Sequence, residues 1–133
     1  YGIDRVQPIW ADHYFKTISN SKMGLNLSRG DPIKYYSSDR ITQIIGNGLV
    51  TLIDEKTCYG DFFDDTEMVF YKNITDLSEK IEKISEDEKL RKTIGQKGKT
   101  KYMKYFNSTL VADFIINKTF ETKSTKKYLW HKS

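Results

Sequence analysis

The spacing of hydrophobic residues changes several times in the first part of the chain. Between residues 7 and about 20, apolar side chains recur at helical spacing, and Pro8 is acceptable in the first turn of a helix. We expect this helix to pack on a sheet. The run MGLNLS, residues 23–28, is short and apolar and ends at RGDP, which predicts a strand leading into a loop. The carboxyl end of that strand would face any ligand crevice.

A second helix and two more strands follow. The segment SDRITQIIGNG predicts a helix capped by Ser38 or Asp39 and ended by the glycines around residue 47. The run LVTLI, residues 49–53, predicts a buried strand of the kind found in parallel sheets. An irregular acidic stretch then leads to a third predicted strand at EMVFY, residues 67–71.

The rest of the chain has helical patterns. Thr75 or Asp76 is expected to cap one helix, Ser85 a second that runs from residue 86 towards 106, and Asn107 or Ser108 a last one. The first of these carries an apolar stripe at amphipathic spacing: Leu77, Ile81 and Ile84. Residues 123–133 form a polar and basic tail that is expected either to be disordered or to dock on a neighbour.

This order of elements predicts an α/β fold with a short parallel sheet of about three strands between layers of helices. Connections longer than a hairpin separate the strands, which favours parallel pairing. Sheets usually have about four to six strands. We therefore expect a partial, doubly wound domain in which one sheet edge has lost its neighbours or pairs with another chain.

Composition narrows the class of protein. The chain has 133 residues, 38% of them hydrophobic, which is enough for one domain with a buried core and excludes disorder as the main state. Cys58 is the single cysteine and the two histidines lie far apart in sequence, so a zinc site is not expected. No apolar stretch approaches the length of a membrane span, and a cytoplasmic location is expected. The first residue is a tyrosine rather than methionine, which suggests a fragment of a larger protein.

Charge is unevenly distributed along the chain. Residues 1–85 carry 10 basic and 13 acidic side chains, whereas residues 86–133 carry 12 basic and 5 acidic ones. A basic end can attract nucleic acid, acidic lipid or phosphorylated ligands. The simpler interpretation, which we favour, is that most of these lysines lie on a solvated helix face.

The order of the segments resembles the C-terminal, donor-binding half of GT-B glycosyltransferases, in particular group 1 and spore-maturation types. The resemblance rests on LNLSRGD, on RITQ leading to GLVT, and on GDFFDDTEMVFYKNITDLSEKIEKISEDEKLRKTIGQKGKTKYMKYF. It implies a Rossmann-like domain over residues 1–120, followed by the basic tail at 121–133. It also implies a transferase that is metal-independent, uses no cofactor, takes a nucleotide-diphosphate sugar as donor and is inactive in isolation.

The chain also departs from that family's pattern. Gln43 stands where the family usually has a glutamate that holds the ribose hydroxyls, and glutamine can hydrogen-bond but carries no charge. Asp31 has the expected distance from Ser28, but Tyr35 replaces a second acidic residue. The acceptor domain is missing, so we expect that domain or a second chain to bind at the sheet edge.

The start of the second helix is the best candidate for a ligand site. Free backbone N–H groups, hydroxyls and a guanidinium there would face a diphosphate and stabilise the departing nucleotide. The candidate donor-binding residues are Ser28, Arg29, Asp31, Ser37, Ser38, Arg40 and Gln43. The alternative is that Ser38 merely caps the helix and that Arg40 pairs with a carboxylate. The catalytic residue is not assigned, and the acidic residues between 61 and 67 lack the spacing of a calcium loop.

Two other functions stay open at this point. The first is a non-catalytic binding or oligomerisation module with the same fold, which the neutral Gln43 favours. The second is a nucleic-acid binder that would use the basic C-terminal part and its aromatic residues, but no nucleic-acid motif supports it. We therefore expect no nucleic-acid partner. The sugar, the acceptor and the stereochemical outcome are not predicted.

Overall fold

The computed structural model describes residues 8–28, 30–36 and 38–131. Its three-stranded sheet has the order β1-β2-β3, and both strand pairs are parallel. The strands are β1 (Met23–Asn26), β2 (Val50–Asp54) and β3 (Val69–Tyr71). The α-helices are α1 (Ala11–Ser19), α2 (Arg40–Gly46), α3 (Ile74–Glu86), α4 (Glu88–Tyr105) and α5 (Ser108–Thr119). The predicted α/β class, with its short parallel sheet and helical C-terminus, is confirmed.

Alternate residues of the strands point to opposite faces of the sheet, and each face has its own core. One core packs α3 and part of α4 against the first face: Val50, Leu52, Val69, Tyr71, Leu77, Ile84 and Ile94. The other packs α2 and the segment after β2 against the second face: Ile41, Ile45, Ile53, Tyr59, Phe63 and Met68. The sheet is thus covered on both sides, which explains why residues 50–53 are all buried, the polar Thr51 included.

Helix α4 crosses the amino ends of β2 and β3. Two of its glycines are buried there, because a Cβ on Gly95 would lie 2.0 Å from the Gly48 carbonyl oxygen and one on Gly98 would lie 2.3 Å from the Glu67 carbonyl oxygen. Gly48 and Glu67 each precede a strand by two residues. The helix backbone therefore packs directly on the chain where it enters the sheet.

Two predicted helix caps are wrong by a few residues. Asn73 caps α3, because its side chain accepts hydrogen bonds from the backbone N–H groups of Thr75 and Asp76. Asp87, rather than Ser85, caps α4 by accepting from the Leu90 N–H. In both cases the capping residue has the extended backbone that an N-cap requires. The predicted cap of α5 at Asn107 is confirmed.

Helix α1 does not pack on the sheet as expected. None of its residues is buried, and Phe15 is 66% exposed. Trp10, immediately before the helix, is 76% exposed. Helix α1 is joined to α2 by a hydrogen bond from the Tyr14 hydroxyl to the side-chain oxygen of Gln43. The predicted apolar face of this helix is present, but it stands at the surface.

The basic tail folds back along α5. Tyr128 is 8% exposed, and its ring centroid lies 5.0 Å from that of Phe114. Trp130 lies between Phe114 and Phe106, with centroid distances of 6.1 and 5.6 Å. The tail as far as residue 131 is therefore ordered against its own chain. In the described part of the chain, no helix combines the length and apolar character needed to cross a membrane.

Candidate functional site

The carboxyl ends of the three parallel strands meet at one edge of the sheet. They are marked by Asn26, Asp54 and Tyr71, the last residues of β1, β2 and β3. In open parallel sheets, ligands bind in the crevice outside these strand ends. Helix α4 occupies the opposite edge, so the polar loops after β1 and β2 surround the candidate site.

A partly buried polar contact fixes the start of α2 beside the end of β1. The Ser38 hydroxyl donates a hydrogen bond of 2.8 Å to the Asn26 side-chain oxygen, and Asn26 is only 2% exposed. Ser38 therefore does not cap α2 as the sequence suggested, and Asp39, which holds the N-cap position, makes no side-chain capping bond. The Ser38 hydroxyl instead satisfies a buried amide that the strand would otherwise leave unpaired.

Arg40 is the first residue of α2 and its side chain is exposed. None of the ion pairs between described residues involves its guanidinium, so the alternative that Arg40 serves a carboxylate finds no partner there. A guanidinium with open donors can bind a phosphate through two parallel hydrogen bonds. Arg40 thus places a permanent positive charge next to the carboxyl end of β1.

Gln43 lies about one turn after Arg40 on α2 and is exposed. Its side-chain oxygen accepts a hydrogen bond from the Tyr14 hydroxyl of α1. The amide nitrogen of Gln43 keeps its two donors. The side chain that the resemblance places on a ribose therefore also links α1 to α2.

The remaining predicted residues are spread along the loop after β1. Ser28 is half-buried two residues after the end of β1, and Asp31 is exposed beyond Gly30, whose φ of +79° suits a turn. Neither side chain takes part in a hydrogen bond to another described residue. Arg29 and Ser37 lie outside the described residues. The structure thus brings Ser28, Ser38 and Arg40 to one edge of the sheet and leaves Asp31 on the loop.

The loop is attached to the segment that follows β2. The Tyr35 N–H donates to the Thr57 carbonyl oxygen at 2.7 Å, and its hydroxyl donates to the Asp61 carboxylate at 2.5 Å. The Tyr35 ring packs on Phe62 with centroids 4.9 Å apart. Donation to the Asp61 carboxylate raises the pKa of Tyr35 above its usual value. Tyr35 has a φ of +61°, a left-handed conformation that a tyrosine adopts only when its surroundings impose it.

Two further acidic residues between 61 and 67 have partners within the chain. Asp64 accepts hydrogen bonds from the hydroxyl and the backbone N–H of Thr66, and these bonds lower the pKa of its carboxyl group. Glu67 forms an ion pair with Lys101 of α4 at 2.5 Å. Among the described residues, no three potential metal ligands come together.

Two residues that shape this site were not predicted from the sequence. Asn26 carries the buried amide that positions Ser38, and Tyr14 bonds Gln43. Asn26 left a signal, because it is a polar side chain within an otherwise apolar strand. Tyr14 left none, since it reads as part of the apolar face of α1.

Comparison with known families identifies the kind of domain that contains this candidate site. The family model described as glycosyl transferase-like matches residues 1–117. The chain belongs to this glycosyl transferase-like family. No curated protein and no solved structure matches it.

Membership of the glycosyl transferase-like family implies a transferase with a sugar donor and an acceptor. The matched residues include all three strands and end at Asn117, inside α5. The end of α5 and the tail at 121–131 lie outside the match. The strand ends and the start of α2 therefore belong to the glycosyltransferase domain itself.

Proposed function

We propose that this glycosyltransferase domain is the donor-binding half of a GT-B enzyme and binds a nucleotide-diphosphate sugar at the carboxyl end of its sheet. The observation that carries the proposal is Arg40. Its side chain is exposed and forms no ion pair with a described residue, and the partly buried Ser38–Asn26 hydrogen bond holds the start of its helix beside β1. Such a cation matches the charge of a diphosphate.

The proposed chemistry needs a group that stabilises the leaving nucleotide diphosphate. Negative charge builds on that group as the bond to the sugar breaks, and donors held in place before the reaction lower the barrier. Arg40 supplies two parallel N–H groups for this purpose, and the hydroxyl of Ser28 lies at the same edge. The Ser38 hydroxyl already donates to Asn26, so in this proposal it positions the helix. Positive charge from a side chain can take the part that a divalent cation has in other transferases, so we propose a metal-independent reaction.

Gln43 is proposed to contact the ribose. Its side-chain oxygen already accepts from Tyr14, which orients the amide and leaves the nitrogen to donate. A glutamate at this position would accept from ribose hydroxyls, whereas the Gln43 nitrogen can only donate to their oxygen atoms. We therefore expect a weaker hold on the ribose than a carboxylate would give.

We propose that the domain alone does not turn over substrate. Transfer needs an acceptor and a catalytic base, which in this proposal come from an acceptor domain or a second chain. Among the described strands, β1 and β3 are both edge strands that pair only with β2, and we propose the outer edge of β1 for such a neighbour. Trp10 and Phe15, which precede β1 in the chain, are exposed apolar groups that a neighbour would cover.

A ligand-observed NMR titration of the 133-residue chain with UDP and GDP tests the proposal. We expect binding of one of them, weakened at least about tenfold by Arg40→Ala and partly restored by Arg40→Lys, because a charged hydrogen bond contributes about 1.5–3 kcal/mol. Lys83→Ala, which removes an exposed cation from α3, is the matched control and should bind like the unmodified chain. Equal binding by the Arg40→Ala chain would remove Arg40 from the site.

The second candidate is a non-catalytic module that uses the same fold for assembly. The exposed apolar side chains around α1 and the neutral Gln43 favour it. Under this alternative, neither nucleotide binds at millimolar concentration. Sedimentation velocity then shows a dimer, and the combined variant Trp10→Ser, Phe15→Ser is monomeric. A chain that binds nucleotide and stays monomeric excludes it.

A further inference from the structure

The tail after α5 is fastened to that helix through one carboxylate. Asp113 of α5 accepts hydrogen bonds from three side chains of the tail, those of Ser124 at 3.1 Å, Lys126 at 3.0 Å and Tyr128. These bonds, above all the one from Tyr128, lower the pKa of the Asp113 carboxyl group, so it is ionised at neutral pH and accepts from all three. They set the course of the tail up to Trp130, two residues after Tyr128.

Trp130 packs on an aromatic side chain at the end of α4. Its ring centroid lies 5.6 Å from that of Phe106, the residue that directly follows this helix. Phe106 in turn stacks on Phe63 and on Tyr102, with centroids 5.5 Å apart in both cases. Phe63 belongs to the core on the second face of the sheet, and Phe106 is a half-buried ring at its margin. Trp130 therefore covers part of a ring that the core leaves open.

Phe106 also supports the loop between β1 and α2. It meets Phe62 edge to face with centroids 5.7 Å apart, and the Phe62 ring lies 4.9 Å from that of Tyr35 in the loop. Aromatic pairs at such distances contribute more than the area that they bury. Four rings are thus in consecutive contact from the tail to the loop: Trp130, Phe106, Phe62 and Tyr35. The loop leads directly to Ser38 and Arg40 at the candidate site.

Tyr35 depends on this support because its backbone is strained. Its φ of +61° persists only where the surroundings impose it. The contacts that impose it are the backbone bond to Thr57, the hydroxyl bond to Asp61 and the ring contact with Phe62. Asp61 and Phe62 are consecutive residues, so a shift of the Phe62 ring also moves the carboxylate that the Tyr35 hydroxyl bonds. Loss of a ring behind Phe62 should therefore loosen both side-chain contacts of Tyr35.

We propose that Trp130 is a positioning residue for the donor site: through Phe106 and Phe62 it holds Tyr35, and with it the loop between β1 and α2, in the conformation that binds the nucleotide diphosphate. The inference rests on the proposed function for its ligand, whereas the link from Trp130 to Tyr35 is independent of any ligand. Trp130 lies beyond residues 1–117, which match the family. The tail therefore takes part in the proposed site without contacting the ligand.

The link to the loop is tested first, by NMR of the 133-residue chain with ring-¹³C-labelled tyrosine. The Tyr35 resonance is the one that Tyr35→Phe removes. We expect Trp130→Ala to shift or broaden it and to lower the pKa of the Tyr35 phenol towards its ordinary value of about 10, because the bond to Asp61 is loosened. Trp130→Phe keeps a ring beside Phe106 and should restore both readouts. Phe120→Ala, which removes a ring that is 70% exposed at the end of α5, is the matched control and should change neither.

Nucleotide binding is the second readout. Whichever of UDP and GDP binds the unmodified chain should bind the Trp130→Ala chain about threefold to tenfold more weakly, because loss of one aromatic pair lets the loop leave its binding conformation for part of the time. Asp113→Ala frees the tail at its anchor and should weaken binding in the same way. Trp130→Phe and Phe120→Ala should both bind within about twofold of the unmodified chain.

The two readouts distinguish failure of this inference from failure of the proposed function. Circular dichroism establishes that each variant is folded, and Trp130→Leu is a milder change if Trp130→Ala is not. An unchanged Tyr35 resonance in a folded Trp130 variant would overturn the inference, even if the free energy of unfolding falls, because Trp130 would then only stabilise the chain. Nucleotide binding that Trp130→Ala leaves unchanged would overturn it as well. If the unmodified chain binds no nucleotide while Trp130→Ala shifts Tyr35, the proposed donor site is wrong and the link between tail and loop stands.

Discussion

The two ends of the parallel sheet are built by different means. At the amino end, α4 lies with its backbone against the chain that enters β2 and β3, and the contact depends on the missing side chains of Gly95 and Gly98. At the carboxyl end, side chains hold the loops: Ser38 bonds Asn26, and Tyr35 bonds Asp61. One end is a close-packed contact, and the other is a set of hydrogen bonds around exposed polar groups.

This difference between the two ends of the sheet indicates that the amino end contributes mainly to stability and the carboxyl end mainly to ligand binding. Close packing tolerates almost no change in volume, so the amino end contributes to the fold but has little room for a ligand. The carboxyl end leaves Arg40 exposed and contains the partly buried pair of Ser38 and Asn26. We therefore expect mutations at the amino end to change the free energy of unfolding, and mutations at the carboxyl end to change chiefly how the loops and α2 are positioned.

The largest effect is expected for Gly95→Ala. The new Cβ would lie 2.0 Å from the Gly48 carbonyl oxygen, a backbone atom that cannot rotate away, so α4 must move off the sheet. We expect the free energy of unfolding to fall by about 3 kcal/mol or more, and Gly98→Ala to act in the same direction. Urea denaturation followed by circular dichroism measures both.

Gly60→Ala is the control for these glycine variants. No atom lies within 4 Å of a Cβ at Gly60, so the change should be within about 0.5 kcal/mol of neutral. If Gly95→Ala were as mild as Gly60→Ala, α4 would not be fixed at the amino end, and the contrast between the two ends would fail.

A smaller effect is expected for Asn26→Ala at the carboxyl end. The substitution removes a buried amide and leaves the Ser38 hydroxyl without its acceptor, which costs about 1–3 kcal/mol. Ser38→Ala removes the other partner, and the double variant should cost less than the sum of the two single changes because both remove the same bond. A double-mutant cycle by urea denaturation gives this coupling.

The same variants separate the role of the pair in positioning from its role in stability. If the pair places Arg40, Ser38→Ala should weaken nucleotide binding in a chain that is still folded, as judged by circular dichroism. Thr42→Ala, an exposed position on the same helix, is the control. Additive single changes, with a coupling energy near zero, would show that Asn26 and Ser38 act independently.

Much of the fold could be predicted from the sequence because the strands are mostly apolar runs and because α1 and α3 have a periodic apolar stripe. LVTLI indicates a strand buried on both faces, and it is one. The helix starts were less predictable, because several capping residues stand close together. Asn73 caps α3 although Thr75 and Asp76 are also suitable, and the sequence does not show which of them adopts the extended backbone.

The candidate site was partly predictable for a topological reason. Parallel strands place their carboxyl ends together, so residues after β1 and before α2 were expected at one edge. The contacts that shape the site join residues far apart in sequence, such as Asn26 with Ser38 and Tyr14 with Gln43. Such pairs arise from packing between elements, and no local pattern in the sequence reports them.

The smallest effect is expected for the pair of Tyr35 and Asp61, which is exposed to solvent. Donation to the Asp61 carboxylate raises the pKa of the Tyr35 phenol in the folded chain. The stabilisation from this hydrogen bond is therefore present below about pH 10, the ordinary pKa of tyrosine, and is lost as the pH rises through the higher pKa of the folded chain. Asp61→Asn should therefore lower the pKa of Tyr35. Phenolate absorbance measures this pKa as the difference between the titration of the chain with Tyr35 and that of the same chain carrying Tyr35→Phe. Asp65→Asn, at a nearby exposed carboxylate, is the control. An unchanged titration of Tyr35 would mean that the hydrogen bond does not persist in solution, and the loop after β1 would then be held by the backbone bond from Tyr35 to Thr57 and by the Phe62 ring.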